Sequence, residues 1–62
     1  MANVAIANRL DQTLSLSLLN EWGYAVERTL PPQPAQVEVD EATLTDYTRG
    51  LARRGHITIR HV

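Results

Sequence analysis

Apolar and polar residues alternate with a period of two along much of this chain, and the alternation stops and restarts at polar or proline-rich breaks. Because a β-strand sends successive side chains to opposite faces, each alternating run predicts one strand with one buried face. Asn3 to Asn8 forms the first run, with Val4 and Ile6 on one side and Asn3, Ala5 and Ala7 on the other. The polar group Asn8, Arg9, Asp11, Gln12 and Thr13 then predicts a turn. Leu14, Leu16 and Leu18 alternate with Ser15 and Ser17, which is the clearest such signal in the chain and predicts a strand with one wet face. A helix over Thr13 to Trp22 is the alternative, since Leu is a good helix former, but its serines would lie all round the cylinder.

Asn20, Glu21, Trp22 and Gly23 predict a connection, after which Tyr24, Val26 and Arg28 oppose Ala25, Glu27 and Thr29 in a third strand that stops at Pro31. The proline-rich connector 31–36 lacks three ladder donors and is expected to be extended and polyproline-like. Val37 and Val39, with Glu38 between them, predict a fourth short strand leading to Asp40. Asp40 is a suitable N-cap, Glu41 stands in the first turn, and Leu44, Tyr47 and Leu51 recur at helical spacing, so a helix is predicted over 41–54. Arg53 and Arg54 would occupy its last turn and Gly55 would stop it, while Gly50 weakens it by roughly 1 kcal/mol relative to Ala. Residues 56–62 predict a terminal strand, with Ile57, Ile59 and His61 on one face and His56, Thr58, Arg60 and Val62 on the other. The order β-β-β-β-α-β over 1–62 implies a single small α+β or mainly β domain. Its expected architecture is a small antiparallel sheet or partial barrel of about five short strands, with one C-terminal helix before the last strand.

Composition narrows the picture. The 62-residue chain has no Cys and no Phe, and its only aromatic residues are Trp22, Tyr24 and Tyr47, so its core must be built from Leu, Val, Ile and Ala. A domain this short buries only roughly 60% of the surface its unfolded chain exposes, so part of its apolar surface is expected to be finished by a protein partner or by copies of itself. The net charge of −1 does not indicate a general nucleic-acid binder. No apolar run of roughly 18 residues predicts a membrane span. The start of the chain lacks the pattern of a signal peptide, so the protein is expected to stay inside the cell or to leave only with a particle. All six basic residues are arginine, which fits either planar, bidentate pairing or the codon bias of a GC-rich genome.

Candidate chemistry is sparse. His56 and His61 would face opposite sides of a strand and so could not chelate one ion together, and structural zinc normally takes four ligands. Ser15, Ser17, the histidines and the carboxylates supply the residue types of a hydrolytic triad without a motif that sets a serine beside a base. No glycine-rich phosphate loop is present. The expectation is a protein without catalytic, cofactor-binding or metal residues. From Arg49 to Val62 there are four arginines and no acid, preceded by Glu38, Asp40, Glu41 and Asp46. That pattern suits a patch for phosphate or an acidic partner, and it equally suits acids and bases complementing a helix dipole. Pro31 and Pro34 satisfy PxxP spacing, which a rigid connector also explains. Trp22 and Tyr24 flank Gly23 as either an interface anchor or the plug of a poor core. The candidate contact residues are therefore Trp22, Tyr24, Arg53, Arg54 and Arg60.

Taken in order, these features resemble small structural proteins of tailed-bacteriophage particles, especially capsid decoration proteins and the particle-binding bases of head fibres. The residues carrying the likeness are the strands from Val4 to Leu18, the proline turn before Val37-Glu38-Val39-Asp40, the helix with Leu44 and Leu51, and Gly55-His56-Ile57-Thr58-Ile59. The likeness spans most of the chain. It implies a non-catalytic component, assembled in the host cytoplasm and located in the virion. It also implies many symmetric copies bound to the major capsid protein or another virion protein. The arginine-rich helix end departs from this pattern and is shared with small DNA-binding regulators or antitoxin-like dimers. An accessory subunit of a larger enzyme is a third possibility.

Overall fold

The computed structural model describes residues 2–62. Five strands form two antiparallel sheets, and one α-helix precedes the last strand. The strands are β1 (Asn3–Asn8), β2 (Leu14–Leu19), β3 (Ala25–Leu30), β4 (Gln36–Asp40) and β5 (Ile57–His61). A 3-10 turn (Glu41–Thr43) and the helix α1 (Asp46–Arg53) lie between β4 and β5. One sheet has the order β4-β1-β5 and the other is the β2-β3 hairpin.

The strand periodicity decides which faces meet. In the three-stranded sheet Val4 is flanked by Val39 and His61, and Ile6 by Val37 and Ile59. Residues directly opposite across a ladder share a face, so the apolar row of β1 carries its neighbours' valines and isoleucines with it. From the hairpin come Leu16, Leu18 and Leu30, and with Leu44, Leu51 and Ile57 they close one apolar cluster around the fully buried Val4 and Ile6. The core contains no aromatic side chain: Trp22, Tyr24 and Tyr47 are all more than half exposed.

Two buried polar residues tie the layers together. At the end of β1 the Asn8 amide donates to the carbonyls of Gln12 (2.8 Å), Pro31 (2.9 Å) and Leu30 (3.3 Å), while its Oδ1 accepts from the Leu10 N–H (2.7 Å). One side chain thus shapes the β1–β2 loop and holds the base of the hairpin against the other sheet. At mid-hairpin the Ser17 N–H donates to Thr48 Oγ1 (3.1 Å), and the hydroxyls of Thr45 and Thr48 both donate to the Ser17 carbonyl (2.7 Å each). Ladder groups on the free edge of β2 are in this way satisfied by the first turn of α1.

The helix differs from the sequence expectation. A continuous helix over 41–54 is replaced by the 3-10 turn, capped by Asp40 accepting from the Ala42 N–H (3.0 Å), and the shorter α1. Leu44 separates them in extended geometry (φ −70°, ψ 134°) and bridges Leu18 across an antiparallel contact. Pairing with β2 and burial of the Leu44 side chain win over helical continuity at this residue. Thr45 then acts as the N-cap of α1, accepting from the Thr48 N–H. The register of the helix shifts accordingly: Thr48 and Leu51 face the core, and Tyr47, expected on the apolar face, is more than half exposed.

Gly55 stops α1 as expected. Its φ of 81° lets its N–H donate to Ala52 O and the His56 N–H reach back to Leu51 O, a Schellman closure that satisfies two orphan carbonyls. The proline connector is not extended. The Ala35 N–H donates to Pro32 O, and the Gln33 N–H and Asn8 N–H bind Leu10 O and Ala35 O. These bonds fold the segment back on the β1–β2 loop, against the polyproline preference of its composition.

Two outcomes test this account. Thr48→Val, though isosteric and more apolar, strips the Ser17 N–H of its partner and should lower unfolding free energy by about 2 kcal/mol in a denaturant titration, while Thr48→Ser should cost about half as much. Two glycines should respond in opposite directions to Ala. Gly50→Ala meets only Arg54 Nη2 at 3.8 Å and should stabilise by up to about 1 kcal/mol, whereas Gly23→Ala (φ 83°) should destabilise by about 1 kcal/mol on backbone strain alone.

Candidate protein interface

The hairpin turn is coded by Asn20 and Gly23. The Gly23 N–H donates to Asn20 O (3.0 Å) and the Asn20 N–H to Tyr24 O (2.8 Å), with Gly23 in the left-handed region. This is a three-residue loop in which glycine occupies the position that demands positive φ. Asn20 Oδ1 accepts from the N–H groups of Trp22 and Tyr24 (2.9 Å each), so both aromatic residues are held by their backbones. Their side chains project from the tip, 73% and 71% exposed.

The Asn20–Tyr24 bond also sets the phase of the ladder. Hydrogen-bonded and non-hydrogen-bonded pairs alternate in an antiparallel pair, so Val26 and Arg28 spend their backbone groups on β2. The N–H and C=O groups of Ala25, Glu27 and Thr29 point away from it. On the far side of β2 the corresponding Ser17 groups are taken up by Thr45 and Thr48. β3 has no such cover: it pairs with β2 alone, and all its residues before Leu30 are exposed.

Between β3 and β4 the layers stand open. A cleft of about 300 Å³ is lined by Leu18, Val26 and Arg28 on the hairpin side and by Val39 and Thr43 opposite. Val26 shares the inward face of the hairpin with Leu18, yet it remains 45% exposed because nothing lies over it on this side. Tyr24, Val26 and Arg28 form one continuous exposed row along the core-facing side of the edge strand.

The five residues expected to make contacts do not form one patch. Trp22 and Tyr24 sit together at the hairpin tip and take no part in the core. Arg53 and Arg54 end α1, where Leu51 O accepts from the His56 N–H and His56 O from the Arg9 N–H, next to the base of the hairpin. They are thus at the opposite end of the hairpin from the aromatics. Arg54 Nε donates to Gly50 O (3.3 Å), and Asp46 and Arg53 stand in the first and last turns of α1, an arrangement that complements the helix dipole. Arg60 lies opposite Ala5 on the outer face of the three-stranded sheet.

His61 Nε2 is 3.0 Å from Glu41 Oε2 at the surface, a pairing worth little to stability. His56 belongs to the helix-ending turn. Ser17 is engaged through its backbone, and among the described residues no group of three or more His, Asp or Glu side chains converges on one point. Among the described residues no helix is long and apolar enough to cross a membrane. Compared with protein-family models, with curated proteins and with solved structures, the chain matches none significantly.

The exposed row at Val26 escaped the sequence reading because period-two alternation identifies the two faces of a strand but not whether either is covered. If Trp22 and Tyr24 serve contact rather than folding, Trp22→Ala and Tyr24→Ala should each leave unfolding free energy within about 0.5 kcal/mol of the parent chain in thermal melts.

Proposed function

We propose that this chain is a non-catalytic interaction module that docks on protein through the tip and edge of its hairpin. The observation carrying this reading is that Trp22, Tyr24 and Val26, three of the large exposed apolar side chains, gather at the hairpin tip and along β3, an edge strand that pairs with β2 alone and whose residues before Leu30 are all exposed. Scattered apolar residues on a surface are ordinary, but a contiguous group at an open strand edge is a site that soluble proteins otherwise blunt. Trp and Tyr are also the side chains most often found to dominate interface energetics.

The resemblance to phage virion proteins supports a symmetric particle as the partner, with the major capsid protein or another virion protein as the surface bound. A thin core favours the same reading. A marginal domain gains stability by mass action when a partner binds only its folded state. The opposing reading, DNA binding through the helix end, draws less support, because Arg53 and Arg54 complement a helix end as in any well-capped helix.

Co-sedimentation of the purified chain with empty phage capsid shells tests the proposal. Binding is expected to fall by at least about tenfold in Trp22→Ala and Tyr24→Ala, and to be unchanged in Arg53→Ala. Failure to sediment with shells or tails, together with DNA binding that weakens steeply with salt and is lost in Arg53→Ala, would replace it with the regulator reading.

A further inference from the structure

The edge of β3 is built to pair with the same edge of a second copy. We propose that two chains associate antiparallel through β3 about a two-fold axis at Val26, joining the hairpins into one four-stranded sheet. The inference rests on the reading of the hairpin as an interface; it gives the edge to a second copy and leaves the exposed tip at Trp22 to meet the particle.

Register decides how two such edges can pair. Only Ala25, Glu27 and Thr29 present outward backbone groups, so a paired copy must set these residues against one another, and a two-fold axis then has few places to pass. With the axis at Glu27, that carboxylate faces its own mate in a hydrogen-bonded pair. Placing it at Arg28 makes two guanidinium groups face each other on one side of the sheet. Both arrangements set like charges directly opposite, which is destabilising. An axis at Ala25 or at Thr29 avoids this but keeps only one pair of outward residues in register.

The axis at Val26 avoids each defect. Ala25 and Glu27 of one chain then form hydrogen-bonded pairs with Glu27 and Ala25 of the other, leaving each carboxylate beside a methyl group and open to water. Val26 meets Val26 of the second copy, apolar against apolar. Tyr24 stands across from Arg28 of the second copy, within reach of a cation–π contact. The same pairing extends the sheet past the mouth of the cleft between β3 and β4, over Val26 and Val39. Five residues of edge make a small interface, so the dimer is expected to form reversibly with concentration.

The chain has no cysteine, which makes single-cysteine cross-linking a direct test. Val26 would lie in a non-hydrogen-bonded pair with its mate, where Cα atoms stand about 4.5 Å apart and a disulfide can close. Under mild oxidation Val26→Cys should cross-link at least about tenfold faster than Arg53→Cys, at the far end of the hairpin, and faster than Arg28→Cys. Sedimentation velocity from micromolar to millimolar concentration should show a monomer–dimer equilibrium in the parent chain. Val26→Arg, which puts two cations on the axis at an already exposed position, should remain monomeric with an unchanged circular dichroism spectrum.

A parent chain that is monomeric throughout, or a Val26→Cys rate no greater than that of Arg53→Cys, would overturn the dimer. Faster cross-linking of Arg28→Cys would overturn the register. A monomer whose shell binding is nonetheless lost in Val26→Arg would show that the edge takes a strand of the partner instead, which refutes the dimer and leaves the interaction reading standing.

Discussion

Everything in this structure depends on one contact: the face of a three-stranded sheet against the face of a hairpin, with no ladder running from one sheet to the other. Backbone hydrogen bonding therefore stabilises each sheet without fixing their relation. That relation is set by a single layer of Leu, Val and Ile side chains centred on Val4, Ile6, Leu16 and Ile57. Such a layer is non-directional and tolerates sliding, so two directional clasps matter beyond their number. Asn8 holds the hairpin base through three carbonyls, and the Thr45 and Thr48 hydroxyls hold its middle through Ser17.

The clasps explain why the molecule is closed on one side and open on the other. The chain between β4 and β5 is spent on the 3-10 turn, Leu44 and α1, all of which cover the β2 edge of the hairpin and fill the gap toward β5. Among the described residues none does the same for β3. The bare edge belongs to the strand that runs out of the exposed tip. The apolar row at Tyr24 and Val26 is the local consequence of that one-sided cover, and it is the basis of the functional reading.

Much of the fold was legible in the residues. Period-two alternation placed β1 and β2 and identified Val4, Ile6, Leu16 and Leu18 as inward, because a strand with one covered face leaves that mark in its composition. Gly55 was legible as a stop because its role is local. Helical spacing of Leu44, Tyr47 and Leu51 misled, since Leu44 answers to a strand elsewhere in the chain rather than to its own neighbours. Prolines likewise suggested an extended connector, where hydrogen bonds to the β1–β2 loop impose a turn. Asn8 read as an ordinary turn residue, and its three carbonyl partners are invisible without knowing that Gln12, Leu30 and Pro31 converge on it.

The candidate site divides along the same line. Trp22 and Tyr24 stood out by type and by their place around Gly23, and whether they formed the core or the surface was decided only by the fold, which leaves both side chains exposed. By itself, then, the sequence determined the local elements, the inward faces and an aliphatic core, because each follows from backbone geometry and side-chain chemistry within a few residues. Only the tertiary structure decided which edge of the hairpin is covered and which is bare, because that depends on where a segment about thirty residues away comes to rest.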